Sequence, residues 1–258
     1  MRIDSCGATH AGNVRSHNED NIYVRGVFRK DLSKDNILIR GDMVSGPYTF
    51  GIFDGLGGEA CGEQASLIAA LGLKAMDDRV GTVDTDIYIS TTHRAIIKEA
   101  KLKEAHNMGT TVVVLQTMGA KATIFNVGDS RAYLCRDGSF VQLSKDHSVI
   151  QSMIDGGFGD AAERHREDYS GELTQYLGMP SEDDIEPEAY VNSFDIRTGD
   201  IILLCSDGLN GELSDEEICE VIESGKNKSA EYITTSLIKS AVDKNCKDNV
   251  SAIICKIE

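Results

Sequence analysis

Residues 121–144, KATIFNVGDSRAYLCRDGSFVQLS, constrain the fold more than any other stretch of the chain. Three short β-rich runs, Ala122–Val127, Arg131–Cys135 and Phe140–Leu143, are separated by GDS and RDGS, both tight-turn sequences. Runs this short and this closely linked form an antiparallel meander. Further apolar β-rich runs at Thr49–Phe53, Thr111–Gln116, Ile201–Cys205 and Val250–Ile257 extend the pattern. Helical periodicity covers Ala60–Met76, Ile87–Lys103, Glu216–Glu223 and Ala230–Asn245, and Ser214 with Glu217 gives a capping-box pattern ahead of the third. Strands in hairpins, with helices grouped separately, predict an α+β layered fold and not a parallel doubly wound sheet.

Several of these runs meet an aspartate at one end. Asp54 follows Thr49–Phe53 in GIFDGLGG. Asp129 follows Ala122–Val127 in FNVGDSR, Asp207 follows Ile201–Cys205 in LLCSDGL, and Asp248 precedes Val250–Ile257 in KDNVSAII. In antiparallel neighbours the end of one strand lies beside the start of the next, so these side chains can gather on one sheet edge. Taken singly, each is an ordinary turn residue near glycine. Taken together, with Gly57, Gly58 and Gly128 adjacent, they read as a site. Unpaired carboxylates in one place repel, and a divalent cation removes the repulsion. Oxygen ligands without cysteine or histidine select a hard ion, Mg²⁺ or Mn²⁺.

A further element is GNVRSHNED, Gly12–Asp20, which sets Arg15 shortly before Glu19 and Asp20. Two readings stand side by side. Arg15 forms an ordinary ion pair with carboxylates, or it offers a planar fork to a phosphate while Glu19 and Asp20 hold metal-bound water.

Composition narrows the function. The 258 residues show no linker, repeat or low-complexity tract, and fit one domain over 1–258. Asp and Glu number 42 against 26 Lys and Arg, and the net charge of −16 opposes a nucleic-acid or anionic-membrane surface. The seven cysteines are odd in number and contain no CxxC, which points to reduced core thiols and not to disulfides or zinc. The chain shows no signal-peptide pattern and no apolar run of spanning length, so a cytoplasmic location is expected. Gly156–Glu188 is polar, acidic and long for a loop, and reads as a flap or a mobile segment.

The motifs GNVRSHNED, FDGLGG, MGTT (Met108–Thr111), VGDSR, SKDHS (Ser144–Ser148), CSDGL and KDNVSAII occur in the order and spacing of the metal-dependent protein phosphatases of the 2C type. The resemblance covers nearly the whole chain and is closest to single-domain bacterial members. ELTQYLG, Glu172–Gly178, resembles the end of that family's flap. The resemblance implies a four-layer αββα sandwich, two antiparallel sheets face to face with helices outside, and a metal centre at one sheet edge. It implies two Mn²⁺ or Mg²⁺ ions bridged by Asp54. The Gly55 carbonyl would ligate one ion, and Asp207 and Asp248 would complete the other. Glu19 and Asp20 would bind through metal water or support it, Arg15 would hold the substrate phosphate, and Asp129 with Asp207 would hold a third ion, as in some members. Gly109–Thr111 would be structural near the site.

The implied activity is hydrolysis of phosphoserine and phosphothreonine in proteins, with substrates of a Ser/Thr kinase as partners and a monomeric enzyme. Two other classes fit the same residues: a phosphatase-like domain that only binds, and a two-metal phosphodiesterase. Leu56 departs from the family, because many members have His or Met there, and the His is proposed to protonate the leaving group. His147 and His165 are nearby candidates for that role, and each also reads as an ordinary core or surface histidine. Arg25–Gly46 is longer than usual and has no assigned role.

Overall fold

The structure is a computed structural model that describes residues 1–41, 47–57, 61–80, 82–105, 107–181 and 185–258, without the side chains of 79 and 80. The chain forms strands β1 (Ile3–His10), β2 (Asn21–Val24), β3 (Val27–Phe28), β4 (Ile37–Gly41), β5 (Tyr48–Phe53) and β6 (Gly55–Leu56), then helices α1 (Cys61–Val80) and α2 (Thr85–Lys103). There follow β7 (Gly109–Thr110), β8 (Val112–Met118), β9 (Lys121–Val127), β10 (Arg131–Arg136) and β11 (Ser139–Gln142), then α3 (Val149–Asp155) and α4 (Gly159–Arg164). The last part contains β12 (Tyr190–Asp195), β13 (Ile201–Cys205), α5 (Asp207–Asn210), α6 (Asp215–Gly225), α7 (Ala230–Asp243) and β14 (Val250–Ile257).

Two six-stranded antiparallel sheets result. One has the order β11-β10-β13-β14-β1-β4, the other β12-β9-β8-β5-β2-β3, and β6 pairs with β7 separately. The run IILLC of β13 shows why the sheets stack. It is apolar at every position, so it must be covered on both faces. Ile202 and Leu204 pack between the sheets with Ile22, Phe50, Val113 and Ile253, while Leu203 and Cys205 face α6 and α7 through Ile218, Ile222 and Leu237. The second sheet does the same, placing Phe53, Val114 and Phe125 against Ala65, Ala69 and Leu73 of α1 and Tyr88 and Ile96 of α2. Helices, sheet, sheet and helices make the four layers that the resemblance implies.

The capping box of Ser214 and Glu217 is formed in both directions. The first helix begins at Cys61; Gly58 and Ala60, which the sequence places at its approach, lie outside the described residues. The 156–188 segment is tied down at its end: Leu177 is buried and bridges to Thr110, and Leu173 bridges to Ser148. It also contains α4, which its polar sequence does not announce; residues 182–184 lie outside the described set.

Candidate active site

Strand register brings the aspartates together. Asn21 pairs with Phe53, so Asp20, just before β2, and Asp54, just after β5, share an edge. Cys205 pairs with Ala252, so Asp207 beyond β13 lies near Asp248 ahead of β14. Asp129 sits on the Gly128–Ser130 turn that carries the chain from β9 in one sheet to β10 in the other. Gly128 takes φ +99°, and a Cβ there would lie 2.7 Å from the Thr111 side chain, so the turn requires glycine.

Asp54 is the centre of the group. Desolvation raises its carboxyl well above the usual range, followed by repulsion from Asp20, Asp207, Asp129 and Asp248 in that order. Asp207 is raised by burial and by Asp248, and lies within hydrogen-bond reach of Asp54. Two ionised carboxylates cannot hold that contact without a proton or a cation between them. Burial pushes Asp129 up to about 8, with Asp207 and Asp146 adding to the shift. Backbone contacts fix the Asp54 peptide: its carbonyl accepts from Thr111 N–H and Thr110 Oγ1, both at 2.9 Å, and its N–H donates to Thr111 Oγ1 at 3.2 Å. Gly55 is wedged where a Cβ would lie 2.3 Å from the Gly62 carbonyl and 2.5 Å from that of Glu19, so any side chain would push these loops apart.

Asp20 is fully buried, and burial pushes its carboxyl up to about 7. Its Oδ2 accepts from Ser206 Oγ at 2.8 Å and Ser251 Oγ at 2.6 Å, while its buried Oδ1 accepts nothing. Glu19 meets the first turn of α1, where Gly62 N–H donates to its carboxylate. The anion at that helix start is Glu19 itself. Arg15 pairs with Asp248 at 2.7 Å, and both side chains are substantially exposed. Its partner is thus not one of the nearby residues Glu19 and Asp20 in sequence.

Among the described residues, no three such side chains are already arranged as a metal cage. Several are held by protein partners instead, Asp248 by Arg15, Asp20 by the two serines and Asp207 by Asp54. The donor set nevertheless fits a hard divalent ion. It is all oxygen, it is strained by its own repulsion, and one buried oxygen of Asp20 lacks a partner.

A family model described as Protein phosphatase 2C matches residues 5–152 and 158–250. The chain belongs to the protein phosphatase 2C family. It is 28% identical over 251 residues to the serine/threonine protein phosphatase PstP of Mycobacterium tuberculosis, covering 95% of this chain and 43% of PstP. It is 29% identical over 257 residues to the serine/threonine phosphatase stp of Listeria monocytogenes, covering 95% of this chain and 92% of that protein. The crystal structure of M. tuberculosis PstP superposes with a TM-score of 0.81 at 27% identity over 100% of both chains. A second structure, the PstP catalytic domain in complex with two manganese ions, gives 0.79 at 27% identity over 100% of this chain and 99% of that one.

Against the phosphatase 2C pattern, the sequence motifs contain more site chemistry than the aspartates alone suggest. Ser206 and Ser251 hold Asp20, and Asn249 holds the loop before it by accepting from Glu19 N–H at 2.7 Å and donating to the Ala11 and His17 carbonyls. The only sequence signal for the serines is their place, one residue before Asp207 and three after Asp248. His147 is spent elsewhere. Its Nδ1 accepts from Gly128 N–H, and burial lowers its pKa, so it stays neutral and supports the Asp129 turn. His165 is exposed and pairs with Asp168. Leu56 sits in β6 opposite Gly109, and its side chain has no ionisable proton to donate.

Proposed function

We propose that this chain hydrolyses phosphoserine and phosphothreonine esters of proteins with Mn²⁺ or Mg²⁺ as cofactor. The observation that carries the reading is the crowding of Asp20, Asp129, Asp207 and Asp248 on Asp54 within a phosphatase 2C chain. Asp54, the Gly55 carbonyl, Asp207 and Asp248 would hold two ions, and Asp129 with Asp207 a third. When bound, such ions supply Lewis-acid stabilisation of phosphate charge and a water nucleophile at neutral pH.

The chain's own residues do the rest. Arg15 is exposed and held only by a surface ion pair, which contributes little, so its guanidinium is free to turn to a phosphate. Asp20 and Glu19 support the ions from the N-terminal loop. No cysteine nucleophile is needed. Burial pushes the Cys6 and Cys246 thiols up to about 11 and those of Cys135 and Cys205 up to about 12, so these side chains pack and do not react.

The same reading makes 1–258 one catalytic domain with a flap at 156–188. It places the enzyme as a monomer in the cytoplasm, in signalling, acting on the products of a Ser/Thr kinase. Among the described residues no helix is long and apolar enough to cross a membrane. The net charge of −16 supports a protein substrate over a nucleic acid. The test is turnover of a phosphothreonine peptide with and without Mn²⁺, with Asp207→Asn as control. Turnover that appears with Mn²⁺ and disappears in the variant is expected; turnover indifferent to both removes the proposal.

A further inference from the structure

Residues 25–46 carry none of the family motifs, and 42–46 lie outside the described residues, yet residues 25–41 place a cation beneath the site. Arg29, directly after β3, is 2% exposed, and among the described residues it is the only buried lysine or arginine. Its guanidinium meets backbone carbonyls. Nη2 donates to that of Asn18 and Nη1 to that of Lys34 at 3.2 Å, while Nε has no acceptor. Asn21 locks the Arg29 backbone from both sides, accepting from its N–H at 3.0 Å and donating to its carbonyl at 2.9 Å. A buried cation without a direct counter-ion is costly. Here the compensating field comes from Asp20 first, then Glu63, Asp35 and Asp31.

The contact is made at a strategic peptide. The Asn18 carbonyl leads directly into Glu19 and Asp20. Around it, Asn18 N–H donates to Asp35 Oδ1, Glu19 N–H to Asn249 Oδ1, and Asp20 N–H to Asn18 Oδ1, while the Glu19 carbonyl accepts from Ser66 Oγ. Every backbone polar group from Asn18 N–H to Asp20 N–H is thus engaged, and Arg29 supplies the only charged donor. We propose that Arg29 is a positioning residue for the metal centre. Its Nη2 bond to the Asn18 carbonyl, with Nη1 tied to the Lys34 carbonyl, sets where Asp20 and Glu19 present their carboxylates to the divalent ions, and residues 25–41 serve to deliver it. The proposal rests on the metal-dependent phosphatase reading of this site.

Arg29→Lys keeps the charge and loses the fork, which separates geometry from field. Outer-shell partners of metal ligands usually contribute 10–100-fold to affinity or activity, so the Mn²⁺ dissociation constant, read by calorimetry, should rise about 10-fold. At saturating Mn²⁺, kcat for a phosphopeptide should fall while KM stays unchanged. Asp35→Ala, which frees the same loop from its other side, should move both readouts in the same direction by a smaller factor. A lower melting temperature with wild-type Mn²⁺ affinity and kcat would overturn the proposal, because a residue that only stabilises the fold gives that result. If Arg29→Lys does not fold, Asp35→Ala decides on the same readouts. If the wild type binds Mn²⁺ but cleaves no phosphopeptide, the phosphatase reading fails, and the calorimetric comparison alone decides the role of Arg29.

Discussion

Metal-free protein should lose stability as the pH rises from 6.5 to 8. Asp20 and Asp129 are raised to about 7 and about 8, so in this window the folded state holds protons that the unfolded state has released. The folded state therefore weakens with increasing pH. For Asp20, fully buried, linkage gives a loss of about 0.8 kcal/mol over the window. Asp129 is partly exposed, so its nominal loss of about 1.6 kcal/mol is halved for solvent screening, to about 0.8. The combined loss is about 1.6 kcal/mol.

Other groups also bear on this window, and Asp54, raised well above the usual carboxylate range, adds to the loss in the same direction. His93 and His147, lowered by burial, still gain stability at the lower end of the window, because an unfolded imidazole is half protonated near 6.5, and so they offset part of this loss. Unfolded thiols begin to ionise at the upper end, so Cys6, Cys135, Cys205 and Cys246, raised by burial in the fold, add a small loss in the same direction. The assay is urea unfolding of EDTA-treated protein at pH 6.5 and 8.0, beside the same protein in excess Mn²⁺. Metal binding requires ionised carboxylates, so the Mn²⁺-loaded protein should hold or gain stability over the same range. A metal-free stability that is flat or rises with pH would refute the picture of a self-repelling acid cluster centred on Asp54.

Two substitutions probe the individual roles. Arg15→Ala should raise KM for a phosphopeptide by roughly 10-fold or more, the worth of a charge-assisted fork, while calorimetric Mn²⁺ affinity holds because Asp248 is freed; lost metal binding at unchanged KM would make Arg15 an ion-pair residue only. Wild type, with Leu56 where an acid could stand, should cleave aryl phosphates much faster than alkyl phosphates, and Leu56→His should narrow the gap, since general acid catalysis contributes roughly 10²–10⁴-fold. A flat dependence on leaving-group pKa in wild type would mean that another group donates the proton.

The layered fold was legible because both sheets are covered on both faces, so β5, β8, β9, β13 and β14 read as apolar runs within a residue or two of their observed ends. Strand β1, IDSCGATH, was not, although it lies between β14 and β4. Its positions are filled by small and polar residues because the neighbours approach closely: a Cβ at Gly7 would lie 2.8 Å from Val24, and Ser5 and Thr9 are buried. Strand β12, at a sheet edge, alternates only half-buried and exposed positions, and helices α3 and α4 are too short and polar to show a period. The strand-end aspartates could be read as a group because antiparallel register follows from hairpins. The partners that orient them could not. Ser206, Ser251, Asn249 and Arg29 act through side-chain bonds across 186, 231, 230 and 11 residues of sequence, and no local pattern encodes such contacts.

The central claim is that this sheet edge is a two-ion centre built on Asp54. Anomalous scattering at the manganese edge from crystals soaked in Mn²⁺ tests it directly. The account predicts two peaks joined by the Asp54 carboxylate, one also touching the Gly55 carbonyl and the other Asp207 and Asp248, with Arg15 released from Asp248. Manganese peaks elsewhere, or an edge that stays without metal while Arg15 keeps its grip on Asp248, would contradict it.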